Sequence, residues 1–495
     1  MTATVRSEQG RSPYTGAALG EYATSTPWDV DVAVSAAAAA AARIAETCPS
    51  TVAGWLDTVA DSLVANRNEL ARLADAETGL GMDRLTGEVG RAASQLRFYG
   101  AVAREGSYLG ATIDTTPVMI GRVQRPVGPV AVFGARNFPF AFGVLGHDAG
   151  SAIASGNPVV AKGHPAHPGL SRRLAEIAIA ALAKAGAPAG TYGLVTGFEA
   201  GQQLVRHSGV KAVAFTGSER GGTALWRLAN ERPEVIPVYA EMGTVNAVIV
   251  TKGAAAARAD AVAAGFVESF TLGMGQFCTK PGLLLVPAGS GLPAAVSETV
   301  AALPAGVLLT EAIAVGCETG IAQLLENGAT VLARGAAADE GWACATTVLT
   351  ASASALTKGS PLLAEVFGPV ALVAEYADSA ERDQVIAQLP GALAVGVHAA
   401  DGEDVAALVA TVAARVGRVV FNGWPTGVAT TWAQQHGGPW PATTVPSATS
   451  VGAAALQRFL RPVAYQGLPD AALPAPLRQN NPWRIPRRLD GEIES

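Results

Sequence analysis

Between residues 30 and 104 the apolar positions recur at helical spacing, as in Trp55-Leu56-x-x-Val59-x-x-x-Leu63-Val64 and Leu70-x-x-Leu73. They predict consecutive amphipathic helices. The most apolar stretch there, 30–42, is mostly alanine and carries Asp29, Asp31 and Arg43 in or beside it. Alanine is the best helix former but a poor membrane residue, so a helix in water is expected. The period then changes. Residues 119–125 alternate apolar and polar and predict an exposed strand or ribbon. From 130 onward short apolar runs at 130–134, 158–162, 191–195, 211–216 and 237–241 alternate with helical segments, including 147–155 and about 169–185. That alternation predicts an α/β fold with a parallel sheet covered on both faces. Ligands of such sheets bind beyond the C-terminal strand ends. A second α/β region runs from 243 to about 435, with strands at 247–250, 283–286, 370–373 and 418–422. The last fifty residues are Pro-rich and suit an arm packed on a partner. No repeat of 20–50 residues is present.

Composition narrows the class. A chain of 495 residues predicts two or three domains, and one with 49% apolar and 15% charged residues buries well. The formal net charge of −6 offers no electrostatic case for nucleic acid or acidic membranes. The densest basic run, 484–488, is short and suits a solvated tail or a subunit contact. Residues 1–14 are polar and carry no signal-peptide pattern, so a cytoplasmic protein is expected.

Four cysteines cannot form a disulfide framework, and Cys48, Cys317 and Cys344 are expected to be inert thiols. His164 and His167 each precede a proline in a turn with no third ligand nearby, so no metal site is expected. Cys278 lies in Gly273-Met274-Gly275-Gln276-Phe277-Cys278-Thr279-Lys280-Pro281-Gly282, where Lys280 suggests a locally positive setting that favours thiolate. The segment alone still favours a buried structural thiol. Glu241 ends an apolar strand, where a carboxylate is costly unless it works or is paired; a loop cap is the alternative. Asn137 follows the first buried strand and offers an amide to an oxyanion, or is an ordinary turn residue. Phe215-Thr216-Gly217-Ser218-x-x-x-Gly222 joins a strand to a helix and directs N–H groups towards a phosphate, a weak pattern by itself.

The order of these segments is more specific than any one of them. Asn137-Phe138-Pro139, Val160-Ala161-Lys162, Phe215-Thr216-Gly217-Ser218, Glu241-Met242-Gly243, Gly275-Gln276-Phe277-Cys278 and Glu365-Val366-Phe367-Gly368-Pro369 together resemble the aldehyde dehydrogenase superfamily over nearly the whole chain. Residues 163–169, 421–427 and 459–466 resemble the branch of α-ketoglutaric semialdehyde (2,5-dioxopentanoate) dehydrogenases and NADP-dependent fatty aldehyde dehydrogenases. The resemblance implies a Rossmann-type cofactor domain (1–115 and 127–242), an α/β catalytic domain (243–440) and oligomerisation segments (116–126 and 441–495) in a homodimer or homotetramer.

The resemblance also implies roles. Cys278 is the nucleophile, Asn137 an oxyanion donor and Glu241 the base that hydrolyses a thioester. Lys162, Gly217, Ser218, Gly222, Glu365 and Phe367 bind the dinucleotide. NAD-selective relatives often carry a glutamate where this chain has Pro165, which leans slightly to NADP, with use of NAD also expected. Arg136 stands where a small residue is usual; a domain-boundary salt bridge or a contact to a substrate carboxylate is expected of it. Phe140, Phe142, Phe270 and Trp424 are candidates for an apolar pocket or for core. A cysteine hydrolase would need a histidine beside Cys278, and within a hundred residues only His207 is available.

Overall fold

A computed structural model describes residues 6–336 and 338–494, so the first five residues of the expected cofactor domain lie outside it. The expected helices are Pro27–Ala45, Pro49–Ala65, Arg67–Thr78 and Met82–Glu105. Thr26 opens the first with a capping box: its hydroxyl accepts from the Asp29 N–H, and the Asp29 carboxylate accepts from the Thr26 N–H. Val52, Leu56, Val59 and Leu63 of the second helix and Leu85, Val89 and Leu96 of the fourth are buried in one cluster with the first sheet. Each such side chain contributes roughly 1.5–3 kcal/mol on burial, and their stripes set which helix faces turn inward.

That sheet is five-stranded and parallel, in the order Tyr192–Val195, Val159–Lys162, Val130–Phe133, Ala212–Gly217, Val238–Met242. Every strand lies within one residue of its expected ends. Alternate residues face opposite cores: Val130 and Val132 join one cluster, Ala131 and Phe133 the other. The chain starts in the centre, builds one side and then the other. Its switch point therefore falls between Val130–Phe133 and Ala212–Gly217.

The second sheet has seven strands, in the order Thr330–Arg334, Thr347–Ser352, Val370–Tyr376, Pro281–Pro287, Asn246–Val250, Ala392–His398, Val416–Phe421. Only the first pair is antiparallel. Three of these strands were not expected. Ala392–His398 is buried throughout and apolar on both faces from Ala392 to Val397, so it carries no polar alternation.

A third sheet pairs Ile120–Pro126 with Leu460–Gln466 and adds Thr112–Asp114, Arg487–Leu489 and Glu492–Glu494. The preceding stretch, 441–459, packs on the cofactor sheet. Met242 N–H donates to the Ala442 carbonyl (2.8 Å), and Arg458 forms a buried ion pair with Asp148 (2.7 Å). These contacts satisfy buried polar groups and tie the segment to the cofactor sheet.

An N-terminal hairpin, Ser7–Arg11 with Ala18–Ala23, was also unforeseen. Among the described residues no helix is long and apolar enough to cross a membrane. Cys317 and Cys344, expected as thiols, form a disulfide with Cα atoms 6.5 Å apart, because helix Glu311–Glu326 packs beside the loop that carries Cys344. Cys48 and Cys278 are free.

Candidate active site

Helix Lys252–Thr271 leads into the tight segment that presents Cys278. Gly273, Met274 and Gly275 all have left-handed backbone (φ 55°, 57° and 65°). A Cβ on Gly275 would lie 2.1 Å from the Gly368 carbonyl oxygen, so only glycine fits where this segment presses on the turn after Phe367. Asn246 Nδ2 donates to the Cys278 carbonyl (2.8 Å) and fixes the nucleophile's backbone. The locally positive setting expected from Lys280 does not exist. Its Nζ donates to the carbonyls of Val366 and Val370 (2.8 and 2.6 Å), holding the segment that carries Phe367. Burial, followed by the charges of Glu241 and Glu365, pushes the Cys278 thiol well above the ordinary range.

Glu241 lies near the end of Val238–Met242 and is almost fully buried. Its Oε2 sits 3.2 Å from His436 Nε2 and accepts from Ser450 Oγ (3.4 Å), while Oε1 is buried without a partner. Burial alone would raise this carboxyl. His436, with hydrogen bonds from Cys278 and Ser450, brings it below the usual range. His436 Nε2 is also 3.7 Å from the Cys278 sulfur, so sulfur, imidazole and carboxylate converge. Sequence reasoning missed this histidine, which follows the cysteine by 158 residues. The only hint was a following Gly437-Gly438 pair, where a Cβ on Gly438 would lie 2.3 Å from the Ala392 carbonyl oxygen.

Asn137 Nδ2 donates to the Gln276 carbonyl (2.9 Å), two residues before the nucleophile. An amide carries two N–H donors, so one remains for an oxyanion beside the sulfur. Helix Met82–Glu105 holds the turn that carries Asn137. Arg84 donates to the Asn137 carbonyl (2.6 Å), and Glu88 Oε1 accepts from the Phe140 and Ala141 N–H groups (both 3.0 Å).

The expected cofactor residues line the strand ends. Lys162 and Gly217 terminate their strands, and Ser218 caps helix Glu219–Asn230 by accepting from the Gly221 N–H (3.2 Å). A Cβ on Gly222 would meet Met242 Sδ at 2.5 Å, so packing of that helix on the sheet already requires this glycine. Glu365 faces Gly243 across the cleft: a Cβ there would lie 2.6 Å from both carboxylate oxygens. Burial raises the Glu365 carboxyl, against the opposing charges of Lys280 and Arg136. Arg136 does not make the expected salt bridge. No ion pair within 4.0 Å forms among the described residues; its guanidinium lies over the Phe367 ring (5.1 Å), on the cofactor side.

On the opposite side of the thiol, Phe138, Phe142 and Phe277 form a small apolar cluster. Phe140 and Phe270 belong to other cores, and Trp424 packs against Phe266 and His398. Arg91 lies over Phe138 and Phe142 (5.6 and 5.9 Å) and donates to the Val428 carbonyl (3.1 Å). Arg418 donates to the Pro425 carbonyl, its Nε is buried without a partner, and Thr279 Oγ1 accepts from Gly427 in the same loop (3.0 Å). Both guanidiniums lie within electrostatic reach of the Cys278 sulfur.

A doubly wound sheet, a second α/β sheet and a half-buried cysteine between an amide and a carboxylate define the fold and its candidate site. The chain belongs to the aldehyde dehydrogenase family, whose sequence model matches residues 2–440. It is 44% identical to alpha-ketoglutaric semialdehyde dehydrogenase 2 of Azospirillum brasilense, over 89% of this chain and 87% of that one. It is 38% identical to alpha-ketoglutaric semialdehyde dehydrogenase of Acinetobacter baylyi, over 95% and 93%. The fold matches the crystal structure of a putative aldehyde dehydrogenase from Burkholderia cenocepacia with TM-score 0.80, at 24% identity over 93% and 96% of the two chains. It also matches PnpE in complex with nicotinamide adenine dinucleotide, with TM-score 0.82 at 22% identity over 93% and 94%.

Proposed function

We propose that the chain oxidises an aldehyde to a carboxylic acid with NAD or NADP, and that its substrate is 2,5-dioxopentanoate, giving 2-oxoglutarate. The convergence of Cys278, Glu241 and His436 beside the free amide N–H of Asn137 carries this reading. His436 Nε2 takes the thiol proton, and the Glu241 carboxylate stabilises the resulting imidazolium. The sulfur adds to the aldehyde carbon, and Asn137 with the Cys278 N–H holds the oxyanion; losing one such donor costs about 2.7–4 kcal/mol of barrier. A nicotinamide held at the strand ends would supply the hydride acceptor, and Cys278 would then carry the acyl group as a thioester. Glu241 then deprotonates the hydrolytic water through its unpartnered Oε1.

The strand ends suit a dinucleotide. Ser218 keeps its own hydroxyl proton free at a helix N-terminus beside the switch point, as a pyrophosphate requires. Lys162 and Glu365 would hold the adenosine and nicotinamide riboses, Gly217 and Gly222 allow close backbone approach, and Phe367 borders the ring. The two alpha-ketoglutaric semialdehyde dehydrogenases among the relatives support the substrate, as do Arg91 and Arg418, cations near the thiol that could meet its carboxylate. Medium- or long-chain fatty aldehydes are the alternative, and two half-buried cations beside the thiol disfavour them. We also propose the division into cofactor (1–115, 127–242), catalytic (243–440) and arm segments, with the sheet around Ile120–Pro126 joining subunits of a homodimer or homotetramer.

Absorbance at 340 nm with 2,5-dioxopentanoate, succinic semialdehyde and medium-chain aldehydes, each with NAD and NADP, tests the reading. Cys278→Ala should abolish turnover and keep dinucleotide binding; persisting turnover would overturn the mechanism. His436 gives some weight to a second reading, a cysteine hydrolase. Ester hydrolysis without dinucleotide, and no signal at 340 nm, would establish it instead.

A further inference from the structure

In a doubly wound dinucleotide domain the adenosine ribose lies beyond the second strand, where an acidic side chain accepts from the 2′-hydroxyl and a cationic one accommodates a 2′-phosphate. That strand is Val159–Lys162 here, and the residues that follow it, Gly163, His164 and Pro165, supply no acid. An acid arrives from a different element. The N-terminal hairpin is fastened beside this strand end: Ser25 N–H donates to the Thr196 carbonyl (2.9 Å), and Thr196 N–H donates to Ser25 Oγ (3.0 Å). Gly197 packs so closely on the hairpin that a Cβ there would lie 2.8 Å from Thr24 Cβ.

Glu8 stands on this hairpin, paired in register with Tyr22. Its Oε2 is buried and has no hydrogen-bond partner. Its charge is the opposing one that Lys162 meets, and the Gly197 N–H faces it as well. A buried carboxylate oxygen without a donor is costly, and a ribose hydroxyl is the donor that a dinucleotide would bring to this strand end. The other nearby acid, Glu199, is exposed and already paired with Arg6. Arg172 is likewise engaged with the hairpin, bonded to the Ala23 carbonyl and lying over the Tyr22 ring (5.7 Å).

We propose that Glu8, reaching from the N-terminal hairpin towards Lys162, selects the cofactor: it accepts from the ribose hydroxyls of NAD and repels the 2′-phosphate of NADP. A 2′-phosphate would set nearly two further negative charges beside this carboxylate, more than Lys162 and Arg172, which both already face Glu8, can offset. The preference is therefore for NAD, the reverse of what Pro165 alone suggests. The inference rests on the dehydrogenase reading above and concerns one end of its cleft.

Equilibrium titration of the full-length enzyme with NADH and with NADPH, followed by quenching of tryptophan fluorescence, reads both dissociation constants without turnover. Wild type should bind NADH at least about ten-fold tighter than NADPH, and Glu8→Gln should shift that ratio about ten-fold towards NADPH. Should Glu8→Gln fail to fold, Glu8→Arg serves instead and should favour NADPH outright. An unchanged ratio in a folded variant, or a wild type that prefers NADPH, would overturn the proposal alone. Binding of neither dinucleotide to wild type would overturn the dehydrogenase reading and this proposal with it.

Discussion

Glu241 sits close enough to Cys278 that its charge governs the reactivity of the thiol. Burial and that carboxylate hold the thiol protonated, so alkylation of the free enzyme by iodoacetamide should be slow near neutrality and rise with pH beyond the ordinary thiol range. In Glu241→Gln the like charge is gone, the thiol pKa falls and the rate profile moves to lower pH. Faster inactivation at pH 8 is expected, measured as the loss of activity with time. A slower reaction would mean that His436 and Glu241 together activate the thiol in the resting state. Arg418 governs the other end of the substrate. Arg418→Met should raise KM for 2,5-dioxopentanoate at least about ten-fold and leave KM for pentanal unchanged, because only the former brings a carboxylate to the orphaned Nε. Equal effects on both aldehydes would make Arg418 merely structural.

Helix Met82–Glu105 shows how one element serves both stability and chemistry. Arg84 and Glu88, one turn apart, grip the turn on which Asn137 is mounted. Glu88→Ala strands two buried N–H groups, at about 1–3 kcal/mol each. It should lower the urea midpoint and, by loosening Asn137, reduce kcat more than KM. A lower midpoint with unchanged kcat would show that the turn keeps its shape unaided. The helical period of this element was legible from its apolar positions. Its hold on the active site was not, because Arg84 and Glu88 look like any exposed pair until the fold places them against residues 137–141. Ala392–His398 shows the opposite limit: a fully buried strand, apolar on both faces, that carries no period-two signal.

At the scale of the molecule, the nucleophile and its partners come from distant parts of the chain, and the cleft exists only once the two sheets meet. The sheet joining Ile120–Pro126 to Leu460–Gln466 has an exposed Leu460–Gln466 face. Light scattering should therefore give a dimer or tetramer, and a strictly monomeric protein would remove the arm reading. The disulfide is measurable at the same scale. Denatured but unreduced protein should show two reactive thiols, Cys48 and Cys278, and reduced protein four. Four thiols before reduction would show Cys317 and Cys344 to be unbonded.

Taken alone, the sequence determined the α/β class and the five strands of the first sheet, and it pointed to the set Cys278, Glu241 and Asn137. Period and strand-end position are local properties, and the ordered motifs carried the rest. Tertiary structure decided what lies beside that set. His436, Arg91 and Arg418 reach the thiol from more than a hundred residues away in sequence, and Glu8 reaches Lys162 from the opening hairpin. It also reversed the electrostatics at Cys278, since Lys280, two residues away, turns from the sulfur while Glu241 faces it. Charge acts through space at a few ångströms, and proximity along the chain is a poor guide to which charges those will be.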